Sequence, residues 1–407
     1  MKILAIDDQQ LILMSLQKRL QELGYQVQIA SNGVSAKAVF DEFEPDLVLV
    51  DINMPQISGL ELVQYFRNTK NSEVPIMVLS GNTDEETILK GYDLGISDYM
   101  KKPVSLNEVA ARVKNLIGVP EQSGVSHKND TNQMLQEYVV GVVIPCYNEE
   151  ERLLSDEFQS FVKQNLGYHL CFVNDGSTDN TLAVLNKLKE GHEDHISVYD
   201  CPQNGGKAEA VRLGTLHLAQ DPQLDYIGYL DADLSTDFKD FDDLVQTIRK
   251  SDYKIVSGSR MARMGADINK ESARAIISKT INFLIRSILR MPFNDTQCGA
   301  KIMDKEIATL VFGKPFLTRW LFDVEIFKRI SNAYGRQQAI AIICEQPLKR
   351  WIHADGSKLS FKDSAKIIFQ LAQIAFHYRL KKNKDRKTKL VKTPKNVINN
   401  TSVSPTS

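Results

Sequence analysis

Four places near the N-terminus could concentrate chemistry. Asp7 and Asp8 follow the apolar run Ile3–Ile6, Asp51 follows Leu47–Val50, Ser80 follows Ile76–Leu79, and Lys102 follows Tyr99–Met100. Groups at the carboxyl ends of neighbouring parallel strands converge in one crevice. Three carboxylates there repel each other unless a divalent cation lies between them, and hard oxygen donors with open positions suit Mg²⁺. A cation shared with an incoming phosphoryl group leaves one carboxylate able to act as nucleophile. The Ser80 hydroxyl and the Lys102 ammonium could then meet phosphoryl oxygens.

A second set begins at Val143-Ile144-Pro145-Cys146-Tyr147-Asn148-Glu149-Glu150. Pro145 stops a strand ladder, Tyr147 supplies an aromatic face, and Asn148 and Glu149 supply hydrogen-bonding groups suited to a base and ribose. Asp175, at the end of the next strand, could accept from a uracil N–H or a ribose hydroxyl. Asn204-Gly205-Gly206-Lys207 opens a helix, where backbone N–H groups and an ammonium could approach a pyrophosphate. Asp231 and Asp233 lie two residues apart past a buried strand. Read as extended chain they share a face and could hold a divalent cation against a diphosphate, offsetting charge on a leaving nucleoside diphosphate. Neither a Walker A sequence nor a Gly-x-Gly-x-x-Gly run is present, which disfavours ATPase and dinucleotide readings.

Strand–helix alternation must position both sets. Residues 1–118 read as five strand–helix units, hence a parallel sheet covered on both faces. Residues 119–137 lose periodicity and turn polar, as a linker does. Alternation restarts at 138 and carries an α/β domain to 358. An amphipathic helix is expected over 359–379, and a basic, disordered tail over 380–407.

The chain has 407 residues, and 50 Lys+Arg against 51 Asp+Glu give a net charge of −1. Its 43% hydrophobic and 25% charged content is that of a soluble globular protein. Collagen-like, disordered and polytopic membrane classes are excluded. The opening Met1–Asp8 has no long apolar stretch or cleavage site, so no secretory leader is expected there. The five cysteines lack Cys-x-x-Cys spacing and are expected as reduced thiols in a cytoplasmic protein. The charge is uneven: residues 379–395 carry nine basic residues against Asp385 alone. That segment suits an anionic partner such as a membrane surface. No nucleic-acid-binding signature accompanies it.

On Asp7-Asp8, Asp51-Ile52-Asn53-Met54-Pro55 with Gly59, Ser80-Gly81 and Tyr99-Met100-Lys101-Lys102-Pro103, residues 1–118 resemble a response-regulator receiver domain of flavodoxin-like (βα)5 fold. The resemblance implies that a histidine kinase or phosphotransfer protein phosphorylates Asp51. It implies Mg²⁺ held by Asp7, Asp8, Asp51 and Asn53, a switch pair of Ser80 and Tyr99, and Lys102 as sensor of the phosphoryl group.

The second set resembles the inverting family 2 glycosyltransferases of the GT-A (nucleotide-diphospho-sugar transferase) fold. Ser257-Gly258-Ser259-Arg260, Asp295-Thr296-Gln297-Cys298-Gly299-Ala300-Lys301 and Arg319-Trp320-Leu321-Phe322-Asp323-Val324-Glu325 narrow the likeness. They point to dolichyl- or polyprenyl-phosphate hexosyltransferases, nearest the β-glucosyltransferase branch. This implies a nucleotide sugar (UDP-glucose or GDP-mannose type) and Mg²⁺ or Mn²⁺ at Asp231 and Asp233. Pro145, Tyr147, Asn148, Glu149, Asp175, Gly206, Lys207 and Asp231 are implied to bind the nucleotide sugar.

A lipid phosphate is already anionic and needs alignment rather than a general base. Arg260 is the first candidate to hold two phosphates together, with Lys301 and Arg319 behind it. Gln297, Asp323 and Glu325 could meet sugar hydroxyls. Two alternatives remain: a polysaccharide or protein acceptor, for which Asp323 is the spare base, and a signalling scaffold with an inactive nucleotide-sugar-binding domain. Ile277, Ile281, Leu284, Ile285 and Ile288 within the basic stretch 272–291 are expected to face a membrane interface, and 360–379 to face the core. Peripheral attachment at the inner face of the plasma membrane follows. The fusion also admits a homodimer.

Overall fold

The computed structural model describes residues 1–81, 84–120, 133–136, 138–261, 267–268, 272–351 and 367–379, with the backbone alone for 267–268, 272–280 and 351. The expected tail, most of the expected linker and residues 359–366 lie outside the described residues.

The N-terminal domain has strands β1 (Lys2–Ile6), β2 (Gln26–Ala30), β3 (Leu47–Val50), β4 (Ile76–Ser80) and β5 (Asp98–Lys101). Helices α1 (Gln10–Glu22), α2 (Gly33–Phe43), α3 (Gly59–Gln64), α4 (Glu85–Asp93) and α5 (Leu106–Ile117) cross over between or follow them. The strands are parallel in the order β2-β1-β3-β4-β5. β3, Leu-Val-Leu-Val, is buried at all four positions, as a strand covered on both faces must be. Ile12, Leu13, Leu16 and Leu20 form the buried stripe of α1 at helical spacing. The order places β1 beside β3, so Asp7 and Asp51 emerge next to each other at the carboxyl edge.

A short strand β6 (Val104–Ser105) follows Lys102 and pairs with β7 (Met134–Leu135). Residues 134–135, within the linker expected over 119–137, therefore form a strand. Leu135 is buried in the core of the N-terminal domain; a strand of two residues carries no alternation that the sequence could show. Leu166 of the C-terminal domain enters the same core, and its N–H donates to the Met134 carbonyl at 3.1 Å. Leu11 of α1 packs on the C-terminal core in return.

The C-terminal domain is built on β8 (Val140–Cys146), β9 (Tyr168–Asn174), β10 (Ile196–Asp200), β11 (Tyr226–Leu230), β12 (Ile255–Ser259), a short β13 (Asp267–Ile268), β14 (Ala300–Asp304), β15 (Ile343–Pro347) and a short β16 (Arg350–Trp351). The seven-stranded sheet runs β10-β9-β8-β11-β14-β12-β15, and β14 is antiparallel to both its neighbours. One face is covered by α6 (Ser155–Gln164), α7 (Thr181–Lys189) and α9 (Phe238–Arg249). The other is covered by α8 (Lys207–Leu218), α10 (Ser272–Leu289), α11 (Lys305–Phe312), α12 (Phe322–Tyr334), α13 (Arg336–Ile342) and α14 (367–379). Both domains therefore have the expected helix–sheet–helix layering.

The five cysteines are unpaired. Among the described residues no helix is long and apolar enough to cross a membrane. The expected membrane face of α10 is corrected: Ile281, Ile285 and Leu289 point into the core, where α12 packs, and Phe283 points outward. Ile277 lies outside the described side chains. On α14, Ile367, Leu371, Ile374 and Tyr378 face the core as expected, while Ile368, Phe369 and Phe376 are exposed.

Candidate active site

In the N-terminal crevice Asp7, Asp51, Ser80 and Lys102 are all buried. The Lys102 ammonium donates to Asp7 Oδ2 at 2.6 Å and to Asp51 Oδ1 at 3.0 Å. Asp51 Oδ2 accepts the Asn53 N–H at 2.6 Å. Burial pushes the Asp7 carboxyl up to about 6, Lys102 opposes that, and Asp51 adds to it. Asp8 is half-buried, and its pKa rises through burial and the Asp51 charge. Burial also raises the Tyr99 hydroxyl, which hydrogen-bonds Ser80. A Cβ on Gly59 would lie 2.0 Å from the Asp51 carbonyl oxygen, so only glycine lets α3 start this close to the crevice. All the expected N-terminal residues are thus brought together.

In the C-terminal domain a cleft of about 200 Å³ opens at the carboxyl ends of β8, β9 and β11. Pro145, Tyr147, Glu149, Asp175, Lys207, Asp231 and Asp233 line it. Tyr147 is exposed, offering a ring face. Asn148 lies behind the cleft, its side-chain oxygen accepting the Thr178 N–H at 2.9 Å. Asp175 is engaged differently from expectation: its two oxygens accept the N–H groups of Gly205 and Gly206 at 2.8 and 2.9 Å. Those N–H groups therefore pin the glycine loop rather than point at a pyrophosphate, and the cations beside them are Lys207 and Arg319.

Lys207 hydrogen-bonds the Asp231 carboxylate. Asp231 and Asp233 are joined by a turn rather than extended chain, since the Leu234 N–H returns to the Asp231 carbonyl at 3.2 Å. Asp233 is exposed, with Oδ1 accepting the Ser235 N–H at 2.9 Å. Glu149 is half-buried, and its carboxyl is raised by burial and by the charges of Asp233 and Asp231, against an opposing Arg152.

Arg260 stands at the end of β12. Its Nε and Nη2 grip Asp295 at 2.7 and 2.8 Å, a two-point carboxylate bond that fixes the plane of the guanidinium. Burial alone would raise the Asp295 carboxyl, but Arg260 holds it at about 2. Gln297 is half-buried, its N–H donating to Asp295. Arg319 is exposed, its carbonyl accepts the Ala208 N–H at 3.3 Å, and its side chain lies across Gly206.

Asn148, Gly206, Arg260, Gln297 and Arg319 are not among the residues that line the cleft, and three further expected residues are engaged inside the protein. Lys301 is fully buried and donates to the Cys298 carbonyl and to Asp323 Oδ1, each at 2.7 Å. Asp323 also accepts the Tyr229 hydroxyl. Glu325 is fully buried, accepting the Leu317 and Thr318 N–H groups. A buried charge needs a partner; Lys301 and Asp323 supply each other, so neither is available to phosphate, sugar or acceptor hydroxyl. A larger groove of about 550 Å³ between α9 and the β15 end shares no lining residue with the cleft.

Residues 3–114 match the response regulator receiver domain, and residues 141–311 match glycosyl transferase family 2. The dolichyl-phosphate beta-glucosyltransferase of Dictyostelium discoideum is 30% identical over 256 residues, covering 59% of this chain and 75% of that protein. The Drosophila melanogaster enzyme of the same name is 32% identical over 236 residues, covering 54% and 69%. The chain belongs to glycosyl transferase family 2. At its other end, response regulator MprA of Mycobacterium leprae is 36% identical over 117 residues, 29% of this chain and 51% of that protein. This is a glycosyltransferase that carries a receiver domain.

Both sites of the glycosyltransferase offer hard oxygen donors of the kind Mg²⁺ and Mn²⁺ take. Among the described residues no three His, Cys, Asp or Glu side chains converge closely enough to hold an ion unaided. An ion at either site would complete its shell with phosphate oxygens or water, the ordinary habit of Mg²⁺. Raised Asp7, Asp8 and Glu149 carboxyls mark places where additional positive charge would be favourable.

Sequence reasoning missed two contributors to the glycosyltransferase site. Gly299 abuts the Asp231 carboxylate. Glu345 accepts the Asn294 and Asp295 N–H groups at 2.8 and 2.6 Å and so orients the carboxylate that grips Arg260. An acid at the centre of the short strand Ile-Cys-Glu-Gln-Pro was the available signal for Glu345.

Proposed function

We propose that the glycosyltransferase moves a hexose from a nucleotide sugar to polyprenyl phosphate at a membrane surface, under phosphorylation control by its receiver domain. The observation that carries this reading is the cleft: an exposed Tyr147 ring, a Lys207–Asp231 pair and the exposed Asp233 carboxylate share one opening at the strand ends. The ring suits a base, the cations suit a diphosphate, and Asp233 with Asp231 would hold Mg²⁺ or Mn²⁺. When bound, that ion offsets negative charge on the departing nucleoside diphosphate.

The chain's own residues do the rest. Lys207 and Arg319 flank the glycine loop and attract the two phosphates of the donor. Arg260, locked in plane by Asp295 and near enough to Asp231 to feel its charge, holds an anionic acceptor oxygen toward the anomeric carbon. Attack from the side opposite the leaving diphosphate inverts the sugar. The burial of Asp323 against Lys301 and Tyr229 favours an acceptor that needs no base. Replacement of Asp233 by Asn is expected to abolish transfer, while nucleotide-sugar turnover at the wild-type rate would remove the metal role.

Membrane contact rests on α14. Its outward Phe369 and Phe376 are 70% and 66% exposed, and the nine basic residues of 379–395 follow directly in the sequence. Aromatic insertion beside a cationic segment suits an anionic bilayer.

Phosphorylation control rests on the domain contact. Lys102, which bridges Asp7 and Asp51, is two residues from β6, and β6 is hydrogen-bonded through β7 to the loop before β9. Asp8 lies near enough to Asp225, at the start of β11, to raise its pKa, after the larger effect of burial. A phosphoryl group on Asp51 changes the charge beside Lys102 and hence the packing at this seam. Transfer is expected to change rate on treatment with acetyl phosphate and Mg²⁺ in the wild type but not in Asp51→Asn. Equal rates in the two would refute the coupling.

A further inference from the structure

Glu325 and Arg329 project from one face of α12, four residues apart, and neither opens on the cleft. Together they take hold of a single loop. Arg329 Nη1 donates to the carbonyls of Val311 and Lys314, and Nη2 to that of Pro315, each at 2.6 Å. Its guanidinium lies 4.1 Å from the centre of the Phe316 ring. Glu325 Oε1 accepts the next two N–H groups, Leu317 at 2.8 Å and Thr318 at 3.2 Å. The following residue is Arg319, which lies across Gly206 and bonds the first turn of α8.

A third side chain closes the arrangement from a distant part of the chain. The Tyr378 hydroxyl, in the last turn of α14, donates to Glu325 Oε2 at 3.1 Å and accepts from Arg329 Nε at 3.1 Å. Glu325 is fully buried and Tyr378 is 6% exposed, so these bonds are shielded from competing water. A buried carboxylate with three hydrogen-bond partners is costly to rearrange, and the backbone donors it satisfies would be left unpaired without it.

We propose that Glu325, Arg329 and Tyr378 are positioning residues for the glycosyltransferase: they fix the 311–318 segment so that Arg319 is held over the glycine loop, where with Lys207 it meets the donor diphosphate. α14 is thereby part of the donor site, through Tyr378, as well as a surface element. The proposal rests on the reading of Arg319 and Lys207 as the diphosphate cations.

The test uses the full chain and two readouts. Hydrogen exchange at the Leu317 and Thr318 amides reports the clamp without any nucleotide. Titration with uridine diphosphate and with guanosine diphosphate, each with Mn²⁺, is followed by the fluorescence of Trp320, which is 61% exposed beside Arg319. Tyr378→Phe removes one hydroxyl and keeps the ring. It is expected to speed exchange at both amides and weaken diphosphate binding about fivefold, the value of one hydrogen bond near 1 kcal/mol. KM for the donor should rise more than kcat falls. Glu325→Gln keeps an oxygen for both N–H groups but turns an amide NH2 toward the Tyr378 hydroxyl, so it is expected to match Tyr378→Phe, whereas Glu325→Leu should lose far more. If Glu325→Leu does not fold, Tyr378→Phe and Glu325→Gln still decide. Unchanged exchange in Tyr378→Phe, or faster exchange with unchanged affinity while Arg319→Ala weakens binding, would overturn the positioning role. Unchanged affinity in Arg319→Ala would overturn the reading of Arg319, and the proposal with it.

Discussion

Gly299 offers the sharpest single-atom probe of the donor site. A Cβ added there would lie 1.9 Å from Asp231 Oδ2, 2.3 Å from its Cγ and 2.7 Å from Oδ1. Contacts below 3.0 Å are not sustained, so the carboxylate must retreat by about 1 Å or more. That retreat disturbs its bond to Lys207 and its place beside Asp233, the groups with which the proposed function has it share a diphosphate and an ion. Gly299 is not among the residues with left-handed backbone, so alanine adds no dihedral strain. The damage is therefore local to the carboxylate. A misplacement of about 1 Å in a positioned group can cost on the order of 100-fold in rate. Gly299→Ala is expected to lose about that much kcat/KM for hexose transfer while its melting temperature stays close to wild type. Gly191→Ala is the matched control: its φ is +75° with nothing within 4 Å, so it should cost about 1 kcal/mol of stability and no activity. Transfer by Gly299→Ala within threefold of wild type, with the fold intact, would show that the Asp231 carboxylate is not needed where it stands.

Three other outcomes follow from the geometry. Lys102→Met leaves Asp7 and Asp51 buried without their ammonium and should cost about 3 kcal/mol at neutral pH in EDTA. Because the Asp7 carboxyl is already raised when folded, that loss should shrink as the pH falls toward 5 and Asp7 takes a proton; denaturant titrations at two pH values check this, and a pH-independent loss would contradict it. Asp295 is held at about 2, below its unfolded value near 3.8, so the stability it contributes, about 2 kcal/mol, is complete above pH 4 and lost as the pH falls through 2. Acid unfolding of Asp295→Asn should lack that part of the slope, and superimposable wild-type and variant pH profiles would refute the pairing. Phe369→Ser with Phe376→Ser should reduce cosedimentation with vesicles containing phosphatidylglycerol without changing the melting temperature, since both rings are exposed; undiminished binding would remove α14 from the membrane contact.

The chemistry at the strand ends was legible because a parallel sheet converts sequence order into spatial convergence. Asp7, Asp51 and Lys102 meet as their positions after β1, β3 and β5 require, and Pro145, the next-to-last residue of β8, meets Asp175 and Asp231 just after β9 and β11. What was not legible is which charges are used internally. Lys301 sits in β14, Ala-Lys-Ile-Met-Asp, where alternation gives no sign that its side chain turns inward. Its partner Asp323 is 22 residues away, and only the antiparallel placement of β14 beside β11 brings Lys301 and Tyr229 to one carboxylate. Glu325 was read as a sugar ligand for the same reason: its partners lie in a loop before it and in a helix 53 residues after it. The stretch around Leu135 was read as linker because two residues of strand carry no period, yet it is where the domains are joined. On α10 the spacing identified an apolar face correctly and could not say whether protein or lipid covers it; α12 does.

The proposed transfer runs from a nucleotide sugar to a lipid phosphate. The most direct measurement incubates the purified full chain with UDP- and GDP-hexoses, Mg²⁺ or Mn²⁺, and polyprenyl phosphate in vesicles, and weighs the lipid product. A new species heavier by one hexosyl unit, absent in Asp233→Asn, is the predicted result. Hexose found only on polysaccharide or protein, or no product from any donor while the wild-type fold is intact, would contradict it.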